Sequence, residues 1–120
     1  EYVRKMDAQL ASKMRFISAQ LVAMFGTDLW RRNAAHANEM AQLLATEAAK
    51  LPGIEITQPV DANGVFAIVP RDVVEELRAE MFFYDWDTDR GVVRWMCSFD
   101  TTVEDVTVFV SRMSELLASR

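Results

Sequence analysis

The spacing of apolar residues changes half-way along the chain, and this change constrains the fold more than any other feature. In the N-terminal half, apolar side chains recur every three or four positions, which is the period of an amphipathic helix. After Gly53 they form short runs divided by turn residues such as Asn63 and Gly64. Strands joined by connections this short favour antiparallel pairing, because a parallel pair needs a long crossover.

The pattern predicts the element order α-α-β-β-α-β-β-α. The apolar face of the first helix comprises Met6, Leu10, Met14, Ile17 and Leu21. Gly26 ends this helix, and a second helix follows as far as Pro52.

The second half alternates strands with helices. Strands are predicted in IEIT, NGVFAIVP, MFFYDW and VVRWMCSF, and a short helix in RDVVEELRAE. The last helix is predicted to open with a capping box of Thr101 and Glu104. These elements give an α+β fold: a small, mainly antiparallel sheet with helices on one face.

Composition excludes several classes of function. The chain has 120 residues, enough for one core, and its net charge of −5 argues against nucleic acid as a partner. The single cysteine, Cys97, cannot form an internal disulfide, which favours a reducing, cytoplasmic setting. No apolar run approaches the length of a membrane span, so we predict no membrane partner.

Arg94 is the residue that most calls for a function. It interrupts the apolar strand VVRWM, sharing a face with Val92 and Met96, while Trp95 and Cys97 occupy the other face. A guanidinium in an apolar strand is costly unless an anion meets it. Two interpretations stay open at this point: a ligand carboxylate or phosphate, or an ion pair with an acid such as Asp85 or Asp100.

The other candidate residues have simpler interpretations. Arg15 is typical of a solvated helix residue, and Cys97 of a buried, inert thiol. His36 has no partner histidine or cysteine pair, so no metal site is predicted, and a surface or interface position is favoured. The aromatic stretch FFYDWD predicts core and subunit interface, with Tyr84 or Trp86 as pocket walls.

Four stretches, in order, resemble one family. QLASKMRFISAQ, NAAHANEMAQLLA, PVDANGVFA and VVRWMCSFDTTVEDV are similar to the C-terminal part of a low-specificity threonine aldolase. The resemblance implies the small C-terminal domain of a fold-type-I enzyme that depends on pyridoxal 5'-phosphate. Such lyases cleave β-hydroxy-α-amino acids such as threonine or allo-threonine to glycine and an aldehyde.

The resemblance also assigns residues. Arg94 matches the family's arginine that binds the α-carboxylate of the substrate, and Arg15 matches a position near the cofactor phosphate. The family's cofactor-binding lysine lies upstream of the matched segment, and none of Lys5, Lys13 or Lys50 falls at its position. We therefore expect no catalytic residue in this chain, no cofactor bound to it alone and no activity from it alone.

The resemblance finally implies an organisation and partners. Residues 1–26 are expected to be a helix bridging to a missing large domain, and residues 27–120 the small C-terminal α+β domain. Expected partners are the amino-acid substrate, the chain's own large domain and further copies in a homo-oligomer. Two alternatives stay open: another fold-type-I enzyme, such as a β-eliminating lyase or aminotransferase, and a non-catalytic binding or oligomerisation module.

Overall fold

A computed structural model describes residues 2–7 and 12–120 of the chain. The elements in these residues are α1 (Tyr2–Met6), α2 (Met14–Phe25), α3 (Leu29–Ala48), β1 (Glu55–Ile56), β2 (Gly64–Ile68), α4 (Arg71–Glu80), β3 (Tyr84–Asp87), β4 (Val92–Met96) and α5 (Val103–Ala118). Across the described ranges, no helix is long and apolar enough to cross a membrane.

The chain divides into two compact units. One unit ends at Arg32, and the other comprises Asn33–Arg120, so that α3 contributes residues to both. In the first unit, α2 buries none of its residues, and Phe16, Leu21 and Phe25 are all more than half exposed. The apolar face predicted for the first helix is thus exposed along α2.

The first predicted helix differs from the structure at its start. The prediction placed one continuous helix from Met6 onward, but α1 ends at Met6 and α2 begins at Met14. Lys13 has φ 58° and ψ 38°, a left-handed conformation that a right-handed helix cannot include. Leu10, which was assigned to the same face, lies outside the described residues.

The second unit is built on a four-stranded sheet with the order β1-β2-β4-β3, in which every neighbouring pair is antiparallel. The long central pairing places Val65 opposite Trp95 and Ala67 opposite Val93. These four side chains are almost fully buried and lie on one face of the sheet. In β2 these buried residues alternate with half-buried residues on the other face, whereas in β4 Val92 on that other face is buried as well.

Helices cover that one buried face. The core cluster joins the sheet residues to side chains from three helices: Met40, Ala41, Leu44, Ala45 and Ala48 of α3, Val73, Val74 and Leu77 of α4, and Val106, Met113 and Leu116 of α5. The contribution of α3 includes three alanines, while all the residues that α4 and α5 contribute have larger side chains. The predicted α+β class, with a small antiparallel sheet and helices on one face, is confirmed.

The start of α5 differs from the prediction by one residue. The capping box is formed by Thr102 and Asp105, not by Thr101 and Glu104. The Thr101 hydroxyl instead accepts a hydrogen bond from the Ser98 backbone N–H at 2.8 Å. Because Thr101 closes this turn after β4, the helix begins one residue later than the sequence pattern indicates.

Candidate functional site

Arg94 lies on the face of the sheet that the helices leave open. In the register of the central strands, Phe66 of β2 and Tyr84 of β3 both stand opposite Arg94. Its neighbours in β4, Val93 and Trp95, point to the buried face and are at most 3% exposed. The residues on either side of Arg94 are therefore packed in the core, and the side chain of Arg94 lies on the open face.

Two aromatic rings flank the guanidinium of Arg94. Its central carbon, Cζ, lies 5.2 Å from the ring centre of Trp86 and 5.6 Å from that of Tyr84. Both distances are within the range of a cation–π interaction. Phe66 packs edge to face against Trp86, with ring centres 5.0 Å apart. The guanidinium of Arg94 therefore faces the rings of Tyr84 and Trp86, which together are called the platform below.

No carboxylate lies within ion-pair distance of Arg94 in residues 2–7 and 12–120, and the acid that shares its cavity is Asp61. Neither Asp85 nor Asp100 forms an ion pair with Arg94 there, and its terminal nitrogens make no hydrogen bond to a described residue. The Nε atom of Arg94 is buried and also has no hydrogen-bond partner in this part of the chain. Of the two interpretations left open, the internal ion pair does not fit the structure.

Asp85 is engaged by other arginines instead. Its carboxylate accepts hydrogen bonds from Arg78 at 2.7 and 3.1 Å and from Arg71 at 3.3 Å. Asp85 stands opposite Val93, on the side of β3 that faces the helices, so it connects the sheet to α4. The hydrogen bonds and charge of Arg78, aided by Arg71, hold the pKa of the Asp85 carboxyl below its usual value.

This pKa shift predicts an acid-dependent contribution to stability. An Asp85→Asn substitution is expected to lower the free energy of unfolding at pH 7 by about 1 kcal/mol. A carboxyl whose pKa is lowered on folding stabilises the fold above its unfolded value, and this contribution disappears as pH falls through the folded value. Urea unfolding at pH 7 and in acid should therefore show the two proteins converging as pH falls.

The matched control for this prediction is Asp89→Asn. Asp89 is exposed in the turn between β3 and β4 and forms no ion pair with a described residue. The Asp89→Asn substitution should leave the free energy of unfolding unchanged at both pH values. A difference between wild type and Asp85→Asn that stays constant down to strong acid would contradict the assigned cause.

An open cavity of about 490 Å³ lies beside Arg94. Its wall includes Phe66 and Met96 from the sheet and the segment that precedes β2, comprising Gln58, Pro59, Asp61, Ala62 and Asn63. Asn63 fixes that segment to the end of β4, because its Nδ2 donates to the Cys97 carbonyl at 2.7 Å and its carbonyl accepts from the Cys97 N–H at 2.9 Å. The cavity thus has one apolar side and one polar side.

This arrangement suits a small carboxylate. A guanidinium presents two parallel N–H donors, which match the two oxygens of a carboxylate, and the partly buried site strengthens that interaction. The side-chain amide of Gln58 is the kind of group that fixes the orientation of a bound molecule, whereas the Asn63 Nδ2 is already bonded to the Cys97 carbonyl. In the described part of the chain there is no cluster of three metal-ligating side chains.

The surroundings of the other candidate residues differ from one to the next. Arg15 is exposed in α2, in the first compact unit, and its Cζ lies 4.9 Å from the ring centre of the neighbouring Phe16. Cys97 is buried, and burial raises the pKa of its thiol, which disfavours the nucleophilic thiolate. His36 is half-buried, and its Nε2 donates to the Thr101 carbonyl at 2.7 Å, which connects α3 to the turn before α5.

Sequence reasoning identified Arg94, Tyr84 and Trp86 separately but did not place them together. The signal that joins them is register: Tyr84 stands opposite Arg94, and Trp86 follows on the same strand. The contribution of residues 58–63 was missed altogether, because nothing in that segment resembles a binding motif.

Comparison with known proteins finds relatives among the threonine aldolases. A low-specificity L-threonine aldolase of Pseudomonas aeruginosa is 43% identical over 106 residues, which are 88% of this chain and 31% of that protein. A low-specificity L-threonine aldolase of a Pseudomonas species is 45% identical over 101 residues, 84% of this chain and 29% of that protein. The resemblance to the C-terminal part of a low-specificity threonine aldolase is confirmed. No protein-family model matches the chain.

The chain spans about 30% of the length of these threonine aldolases. Among solved structures it is similar to a glycine decarboxylase (P-protein) of the glycine cleavage system in inhibitor-bound form, with a TM-score of 0.68 and 22% identity. That match covers 82% of this chain and 24% of the other. At this identity the likeness shows the fold, which agrees with the α+β class predicted for a threonine aldolase C-terminal domain.

Proposed function

We propose that this chain is the small C-terminal part of a pyridoxal-phosphate-dependent aldolase that cleaves threonine or allo-threonine to glycine and an aldehyde. In this proposal residues 27–120 form the small domain, and residues 1–26 connect it to a large domain. One observation carries the proposal: Arg94, on the open face of the sheet, has aromatic neighbours, an adjoining cavity and no acid partner within the described ranges.

The geometry of Arg94 supports the role that the resemblance implies for it. Its terminal N–H groups bind the α-carboxylate of the amino acid, which fixes one end of the substrate. A substrate held at one end by a bidentate pair loses rotational freedom, so its reacting bond is presented in a restricted orientation. The wall formed by Gln58 and Asn63 limits how the rest of the molecule can lie.

Pyridoxal phosphate, when bound, withdraws electrons from the bond that is cleaved. Arg15 fits a phosphate-binding role, because its guanidinium is exposed and forms no ion pair within the described residues. Lys50 is less suited to a cofactor role, because its Nζ lies 2.6 Å from a Glu47 carboxylate oxygen. We assign the cofactor-binding lysine to the large domain, and on that basis the 120 residues alone are inactive.

The exposed apolar side of α2 supports an assembly larger than this chain. Phe16, Leu21, Val22 and Phe25 of this helix are each at least half exposed. A patch of this kind on a helix is typical of a surface that another protein surface covers. We infer that the large domain and further copies of the protein in a homo-oligomer supply that cover, and that the enzyme works in the reducing cytoplasm.

The proposal predicts where the cofactor attaches. We expect the full-length protein to show a visible absorption band from bound pyridoxal phosphate. Borohydride reduction followed by peptide mass spectrometry should place the pyridoxyl label on a lysine upstream of Glu1. Lys5, Lys13 and Lys50 are internal controls in the same digest and should stay unlabelled. A colourless protein that takes up no pyridoxal phosphate, or a label on one of these three lysines, would contradict the proposal.

A further inference from the structure

We propose that Tyr84 and Trp86 are positioning residues that hold the guanidinium of Arg94 in the orientation that receives the substrate carboxylate. This inference rests on the proposed function of Arg94. It adds that Arg94 needs neighbours that hold its guanidinium in place. The rings of Tyr84 and Trp86 can do so without adding a negative charge that would compete with the substrate carboxylate.

The strand that carries both rings is irregular at Trp86. Tyr84 stands opposite Arg94 and Asp85 opposite Val93, but the next paired residue is Asp87, so that Trp86 is an extra residue in β3. Such a bulge bends its strand and redirects a side chain. Trp86 lies two residues after Tyr84, and the distance from its ring centre to Cζ of Arg94 is 5.2 Å.

The exposure of these rings argues against a role in the core. Tyr84 is 58% exposed and Trp86 is 59% exposed, although Trp95 on the opposite face is 3% exposed. Rings so exposed gain little from burial, and their close partners are Arg94, Phe66 and Phe82. Their clearest physical effect is to restrict the cation that they face.

The position of the cavity indicates on which side of the guanidinium a ligand would bind. The cavity beside Arg94 is lined by Phe66 and Met96 but not by Tyr84 or Trp86. The two rings therefore restrain the guanidinium without forming the wall of the space that a ligand would enter. The buried Nε of Arg94, which has no partner among the described residues, leaves the terminal nitrogens as the groups that meet the carboxylate.

A double-mutant cycle on the cofactor-loaded, full-length protein tests the inference, with the dissociation constant of glycine and the kcat and KM for threonine as readouts. Trp86→Ala is expected to weaken glycine binding about fivefold and to raise KM by a similar factor, with kcat changed less. Trp86→Phe should restore most of the affinity, because it keeps a ring face. In the Arg94→Ala background, Trp86→Ala should have no further effect on binding.

The matched control is Trp30→Ala, which removes a tryptophan that is 48% exposed in α3 and should leave glycine affinity unchanged. If Trp86→Ala lowers the amount of folded protein, the same cycle is carried out with Trp86→Leu, which also removes the aromatic ring but keeps a large apolar side chain. If Arg94→Ala weakens glycine binding but Trp86→Ala does not, or acts equally in both backgrounds, the positioning role is overturned while the function of Arg94 stands. If Arg94→Ala leaves glycine binding unchanged, the proposed function itself is overturned.

Discussion

An Arg94→Ala substitution in the full-length protein is expected to raise the KM for threonine about 100-fold while the cofactor stays bound. Removing one partner of a desolvated, hydrogen-bonded charge pair typically costs about 2–5 kcal/mol, and each 1.4 kcal/mol is about a tenfold change in affinity. The loss should be large because no other cation faces the same cavity: among its described lining residues, Arg94 alone carries a positive charge. Steady-state kinetics, together with the absorption of the bound cofactor, measures both parts of this prediction.

Two further variants sharpen the result. Arg94→Lys keeps the charge but replaces the planar fork with a single ammonium, so it should recover only part of the affinity. Arg90 is exposed in the turn after β3, and its backbone N–H donates to the Asp87 carboxylate. Arg90→Ala keeps that backbone bond and should leave KM unchanged. An Arg94→Ala enzyme with the KM of wild type would remove the basis for the carboxylate-binding role.

A Leu77→Ala substitution is expected to lower the free energy of unfolding of the chain by about 3 kcal/mol. Leu77 lies in α4, is completely buried and belongs to the core between the sheet and its helices. Shortening this side chain loses its transfer free energy and leaves a cavity that the surrounding helix and strands cannot fill. Equilibrium urea unfolding followed by circular dichroism measures the change.

The control for the core substitution is Val108→Ala in α5, where the valine is 55% exposed. It removes an apolar side chain from a helix of the same unit and should cost less than about 0.5 kcal/mol. If Leu77→Ala were as mild as this control, the core assigned to the helix-covered face of the sheet would be wrong.

The fold was predictable because its signals are local. The apolar period places Val73, Val74 and Leu77 on one face of a short helix, and the structure buries all three. Where prediction was wrong, a contact outside the local pattern decided the outcome. Thr101 and Thr102 both precede an acidic residue by three positions, and the turn formed with Ser98 determines that Thr102 is the cap.

The candidate site was predictable only in part. An arginine between apolar residues indicates a needed anion, but the sequence could not show which acid would meet it. In the structure Asp85 is occupied by Arg78 and Arg71, which approach it from α4. The partner choice depends on which side of the sheet each residue faces, and this follows from strand register rather than from sequence order.

By itself, the sequence determined the α+β class and the order of the strands and helices in the second half, and it indicated that Arg94 needs an anionic partner. These depend on apolar periodicity and on the cost of burying a charge, which act over a few residues. Only the tertiary structure decided that Arg94 stands on the open face, beside Tyr84 and Trp86. The register of β3 against β4 brings those side chains together, and this register depends on how the two strands pair rather than on either strand alone.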